Sequence, residues 1–134
     1  RSDMKPMLWL VPVAMFVAGC EMDGTADGAK SGAQLYGEYC AACHGPSGTG
    51  GLDVGGKTTP DLTMLAKNNG GTFPMTYVMS TIDGYARDDT HGPMPRFGDL
   101  IDSPVVNWVD EEGTPTPTPQ ALIRLAEYVE GLQD

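Results

Sequence analysis

The residues best equipped for chemistry fall in one short stretch, Cys40-Ala41-Ala42-Cys43-His44. Two thiols and an imidazole in five positions suggest four uses. A structural disulfide between cysteines three apart closes a very small loop and constrains little chain. A thioredoxin-like redox pair needs a strand before it in a βαβ setting, and no such pattern precedes Cys40. Zinc wants four good ligands, and the only other histidine is His91. The fourth use is covalent attachment of haem, which the pentapeptide fits. The thiols add across the two vinyl groups, and the next residue offers its imidazole to the iron. One turn of chain would lay both sulfurs along one ring edge and swing His44 beneath the metal.

A helix must lead into this turn. Gly32, Leu35, Tyr36, Tyr39 and Cys40 recur at helical spacing, and Ser31 is placed to cap them. The run Gly45-Pro46-Ser47-Gly48-Thr49-Gly50-Gly51 after His44 can be neither helix nor strand, and its glycines allow a tight turn. Residues 61–66 read as a short helix start, and Met75 to Ile82 as a helix after Pro74. A last helix shows an apolar stripe of Leu122, Leu125, Ala126, Val129 and Leu132. Thr118 is its expected N-cap, Pro119 its first residue and Gly131 its end. Glu127 and Glu130 should face solvent. Only Val105 to Val109 alternates like a strand.

The chain has 134 residues, with 40% hydrophobic and 19% charged. Gly and Pro together make about 22%, against an average near 12%. Length excludes several domains, and composition excludes a coiled coil. A small, loop-rich domain remains, whose modest core calls for help from a cofactor. Net charge is −10, and no Lys/Arg cluster exists, which argues against nucleic acid as a partner. An acidic surface suits solubility.

Residues 1–19 read as a signal peptide: Lys5, then an apolar run from Met7 to Gly19 that ends in small residues. That run is shorter than the roughly 20 residues a membrane span takes. Val17-Ala18-Gly19-Cys20 resembles the lipobox of bacterial lipoproteins. The resemblance implies that Cys20 becomes the first mature residue and carries lipid. Residues 20–31 then form a flexible polar tether, and 32–134 form the folded domain.

From residue 32 onward the chain resembles the class I cytochrome c family, on several separate motifs. The Cys40–His44 pentapeptide is one. Gly32 and Tyr36 match the small residue and the aromatic that cross the C-terminal helix, where Leu125 and Tyr128 are their counterparts. Thr59-Pro60-Asp61-Leu62 matches a Pro-x-Leu segment behind the proximal histidine, which implies that the Pro60 carbonyl accepts the imidazole Nδ1–H and that Leu62 faces haem. Gly92-Pro93-Met94-Pro95-Arg96-Phe97-Gly98 matches the context of the second axial ligand, 50 residues beyond His44. Pro93 and Pro95 would stiffen that loop. Met64, Met75 and Met79 lie on apolar helical stretches and read as core or haem wall.

The resemblance implies an all-α class I cytochrome c fold of three to five short helices around one haem c. Cys40 and Cys43 would hold the thioethers, His44 and Met94 the iron, and Tyr36, Leu62 and Phe97 the pocket. It also implies a membrane-anchored periplasmic electron carrier with redox proteins as partners, no small-molecule substrate and no catalysis of its own. A fixed cytochrome subunit of an oxidoreductase complex, or a haem-based gas sensor, are the alternatives. Residues 99–119 depart from the compact family pattern as a Pro/Thr-rich extended loop holding Trp108, read as a surface elaboration, a docking surface or a haem lid.

The lipobox yields a direct expectation. Labelled palmitate fed to expressing bacteria should enter the chain, and Cys20→Ser should abolish the label. A wild-type chain that leaves the membrane with an unmodified N-terminal cysteine would contradict it.

Overall fold

The computed structural model describes residues 29–85 and 92–134. The expected signal peptide, the expected lipidation site Cys20, most of the expected tether and His91 lie outside the described residues.

Helix α1 spans Gly32–Tyr39, and Ser31 caps it as expected. The Ser31 hydroxyl accepts from Gln34 N–H at 3.2 Å, and Gln34 Oε1 accepts from Ser31 N–H at 2.8 Å, a reciprocal capping box. A single helical turn, α2 (Ala41–His44), follows at once. A 3-10 turn (Leu62–Met64), capped by Asp61, leads into α3 (Leu65–Asn68). Helix α4 spans Met75–Asp83 and stops at Gly84, whose φ of 86° ends it in the left-handed conformation. Helix α5 spans Gln120–Glu130.

The core lies where α1, α4 and α5 meet. Leu125 and Ala126 are fully buried, and Leu122 and Val129 nearly so, while Glu127 and Glu130 face solvent. Burying a leucine of this kind contributes about 1.5–3 kcal/mol. Helices α1 and α5 cross at Gly32. A β-carbon there would lie 2.2 Å from the Arg124 carbonyl oxygen and 2.9 Å from Tyr128 Cβ, so nothing larger than glycine fits. One turn on, the Tyr36 and Tyr128 rings pack with centroids 5.0 Å apart.

Two antiparallel hairpins supplement the helices, so the fold is not purely α. Strands β1 (Asp53–Val54) and β2 (Lys57–Thr58) are joined by Gly55-Gly56, both at positive φ, as a type I′ turn requires. Strands β3 (Val105–Val109) and β4 (Pro115–Pro119) form the second hairpin, so the Pro/Thr run is extended as expected but also paired. Asp110 N–H donates to Thr114 O at 3.0 Å and Gln120 N–H to Pro104 O at 2.8 Å, one at each end of the ladder. Counting inward by twos puts Thr116 and Thr118 at the hydrogen-bonded positions. The prolines at 115, 117 and 119 then sit where a missing N–H costs no ladder bond. Trp108 packs against the core. Glu111, in the turn, accepts from Thr76 N–H at 3.2 Å and from its hydroxyl at 2.6 Å, which caps α4 from outside.

Pairing up to Pro119 corrects the expected start of α5. Pro119 is the N-cap, and its side chain makes no capping bond. Thr118 is buried, with its hydroxyl donated to Thr116 O at 2.9 Å. Ser103 takes over the cap: its hydroxyl accepts from Ala121 N–H at 2.8 Å.

Gly37, on the exposed side of α1, has no atom within 4 Å of where its β-carbon would lie. Gly32→Ala should therefore destabilise the fold by about 1–3 kcal/mol through overpacking. Gly37→Ala should stabilise it by about 0.4–1 kcal/mol through chain entropy. Chemical denaturation of the two variants should give opposite signs.

Candidate functional site

Cys40 serves both helices at the entrance to the site. Its N–H donates to Tyr36 O at 2.9 Å to close α1, and its carbonyl accepts from Cys43 and His44 N–H at 3.1 and 2.9 Å to open α2. Gly45, with φ 79°, ends the turn, and its carbonyl accepts the Tyr36 hydroxyl at 2.8 Å. Cys40 and His44 are buried and Cys43 is half-buried, all three within one turn. No disulfide joins Cys40 and Cys43. Burial pushes the Cys40 thiol up to about 11, with Cys43 adding to the effect. At neutral pH that thiol is therefore uncharged.

The glycine run folds back to build the wall behind His44. Gly50 N–H donates to His44 O at 2.8 Å, Gly51 N–H to Thr59 O at 2.9 Å and Leu62 N–H to Gly48 O at 2.7 Å. These bonds bring the Pro60 carbonyl to 3.5 Å from His44 Nδ1, the long limit of a hydrogen bond. Gly50 is pressed against it: a β-carbon there would lie 2.2 Å from Pro60 O, and φ is 62°. Burial lowers the His44 pKa, and the Pro60 carbonyl opposes that shift. A carbonyl can only accept, so Nδ1 carries the proton and the Nε2 lone pair is left for a metal.

A cavity of about 490 Å³ gathers every residue expected at the haem site. Cys40, Cys43, His44, Pro60, Tyr36 and Leu62 line it from the N-terminal half, and Met94 and Phe97 from the later loop. Met64, Met75 and Met79 do not line it, and Met79 is buried in the core. Arg96 Nε donates to Gly84 O at 3.2 Å and ties the Met94 loop to the end of α4. Sequence reasoning missed Val54, Lys57, Tyr77 and Thr81, which also line the cavity. Gly55-Gly56 was the available signal for the first two; the face of α4 was the signal for the others.

The cavity suits a cofactor in size, and its lining is chiefly apolar. Two thiols, a buried imidazole and a thioether are among the donors in its wall. The cytochrome c oxidase, cbb3-type, subunit III family model matches residues 27–109, which include α1, the Cys40–His44 turn and the Met94 loop.

The chain belongs to this family.

No curated protein and no solved structure gives a significant match. As a c-type cytochrome domain the chain carries haem c, iron included, on covalent links, and serves electron transfer. The thiols, imidazole and thioether gathered at one apolar cavity fit that group. Among the described residues no helix is long and apolar enough to cross a membrane.

Covalent attachment through Cys40 and Cys43 should keep the haem stain on the band of a denaturing gel. Cys40→Ala with Cys43→Ala should remove it. Colour that extracts from the wild type into acidified organic solvent would contradict the attachment.

Proposed function

We propose that this chain is a single-haem class I cytochrome c that passes electrons one at a time, with His44 and Met94 as axial ligands. Cys40 and Cys43 are its attachment points, and Cys20 holds it by lipid to a bacterial membrane with the domain in the periplasm. The observation that carries the reading is that His44 and Met94, 50 residues apart in sequence, line one cavity together with both thiols.

When bound, haem supplies a one-electron couple at iron, which a His/Met pair places at a higher potential than two histidines would. The chain's own residues do the rest. Pro60 fixes the His44 tautomer and raises its basicity. Pro93 and Pro95 limit the freedom of the loop that presents Met94. Leu62, Phe97 and Tyr36 exclude water, so little polar rearrangement accompanies a change of charge. The Tyr36 hydroxyl is pushed up to about 12, chiefly by burial, and stays neutral. Cys43 and its exposed neighbour Ala42 mark a solvent-facing edge for electron exchange, where docking is small and weak. A tether of 12 residues spans at most about 40 Å and replaces tight binding with local concentration.

A second reading is a fixed electron-transfer subunit of an oxidase complex, favoured by the description of the matching family as a subunit III. A stable complex after detergent extraction points to the subunit, and a free carrier to the shuttle.

The ligand assignment is tested by the weak near-infrared charge-transfer band of thioether-ligated ferric haem. The oxidised protein should show it, and Met94→Ala should lose it, drop in potential and bind exogenous ligands. Met64→Leu, Met75→Leu and Met79→Leu should keep it, since core methionine tolerates the swap at under about 1.5 kcal/mol. Loss of the band in one of those variants and its survival in Met94→Ala would overturn the assignment.

A further inference from the structure

We propose that the β1–β2 hairpin is a latch on the Met94 loop and that Lys57 is its positioning residue, an inference that rests on Met94 as the distal ligand. The hairpin is short, and a side-chain bond ties its turn. Gly55 and Gly56 take φ 58° and 78°, and Asp53 Oδ1 accepts from Gly56 N–H at 3.2 Å. Its register pairs Val54 with Lys57, and both line the same cavity as Met94.

The hairpin lies against the two residues just before Met94. A β-carbon on Gly55 would sit 3.5 Å from Pro93 Cβ, so the turn and the proline ring are neighbours at ordinary contact distance. A β-carbon on Gly92 would come 2.8 Å from Lys57 Cδ and 3.3 Å from Cε. The Lys57 stem thus fills the space that any larger residue at 92 would need. Gly92 also has φ 79°, which disfavours a side chain on backbone grounds.

Pro93 has a ring-locked φ, so wherever the hairpin sets Pro93 it also sets the start of Met94. On the far side, Arg96 is bonded to Gly84. The loop is therefore held at residues 92–93 by the hairpin and at 96 by the end of α4. With the hold at residues 92–93 released, the loop would lose one of its restraints and the thioether would leave its site more often. The nearest approaches at Gly92 are Lys57 Cδ and Cε, with Nζ next at 3.4 Å, so the stem makes the closest contact. Lys57 is exposed, and its replacement leaves the core intact.

The test uses the oxidised full chain, with imidazole as an incoming ligand, followed by stopped-flow loss of the near-infrared band. Lys57→Ala should admit imidazole about tenfold faster than the wild type, through lost apolar contact. Gly92→Ala, which drives the stem away, should do the same. Lys57→Met keeps the stem without the charge and should match the wild type. A Lys57→Ala rate equal to wild type would overturn the latch. A Lys57→Met rate equal to that of Lys57→Ala would overturn the role of the stem. Failure of the underlying assignment looks different: the band would be missing from the wild type or retained in Met94→Ala.

Discussion

The close approach of α1 and α5 at Gly32 sets the geometry on which the site depends. With no side chain at that crossing, the backbone of α1 can rest against the Arg124 carbonyl. Tyr36 is thereby brought onto Tyr128, and its hydroxyl reaches the Gly45 carbonyl at the end of the Cys40–His44 turn. One contact between helices at the two ends of the domain thus fixes where the attachment turn begins and where it stops. Leu125 and Val129 of α5 form part of the same cavity wall, so the crossing also sets its depth.

Behind His44 the constraint passes to backbone. The glycine run has no side chains to pack and works through its N–H groups, which fold it onto residues 59–62. The result is a single acceptor, the Pro60 carbonyl, held against the imidazole by Gly50. The Met94 side is built differently, from prolines, a side-chain bond to the end of α4 and the neighbouring hairpin. A wall of backbone behind the histidine and a loop held at separate points near the methionine suit the proposed ligation, in which the histidine would be the permanent ligand and the methionine the more easily exchanged one.

Most of the site was legible in the sequence because chemistry dictates its spacing. Two thiols and an imidazole can serve one porphyrin only when they are this close, and a methionine between two prolines has few other reasons to be so confined. Helices α1, α4 and α5 were legible because each must bury one face, which leaves a periodic record. The hairpins were not. Two-residue strands such as β1 and β2 are too short to show alternation, and only Gly55-Gly56 signals the turn. In β4, the alternation of proline and threonine suggests an unpaired extended run, yet its period of two is also what a strand needs when every second N–H must be absent from one edge. Such an edge offers no donors to another strand. The caps on α4 and α5 escaped notice for a further reason: Glu111 and Ser103 are 35 and 18 residues from their partners, a proximity that only the tertiary fold creates.

We propose that one imidazole and one thioether complete the coordination of a single iron in this cavity. X-ray absorption at the iron edge of the purified, oxidised protein reads that directly. The expected result is one sulfur scatterer in the first shell, alongside the porphyrin nitrogens and one imidazole nitrogen, and the loss of that sulfur in Met94→Ala. A first shell of nitrogen alone in the wild type, with either a second imidazole or a missing sixth ligand, would contradict it.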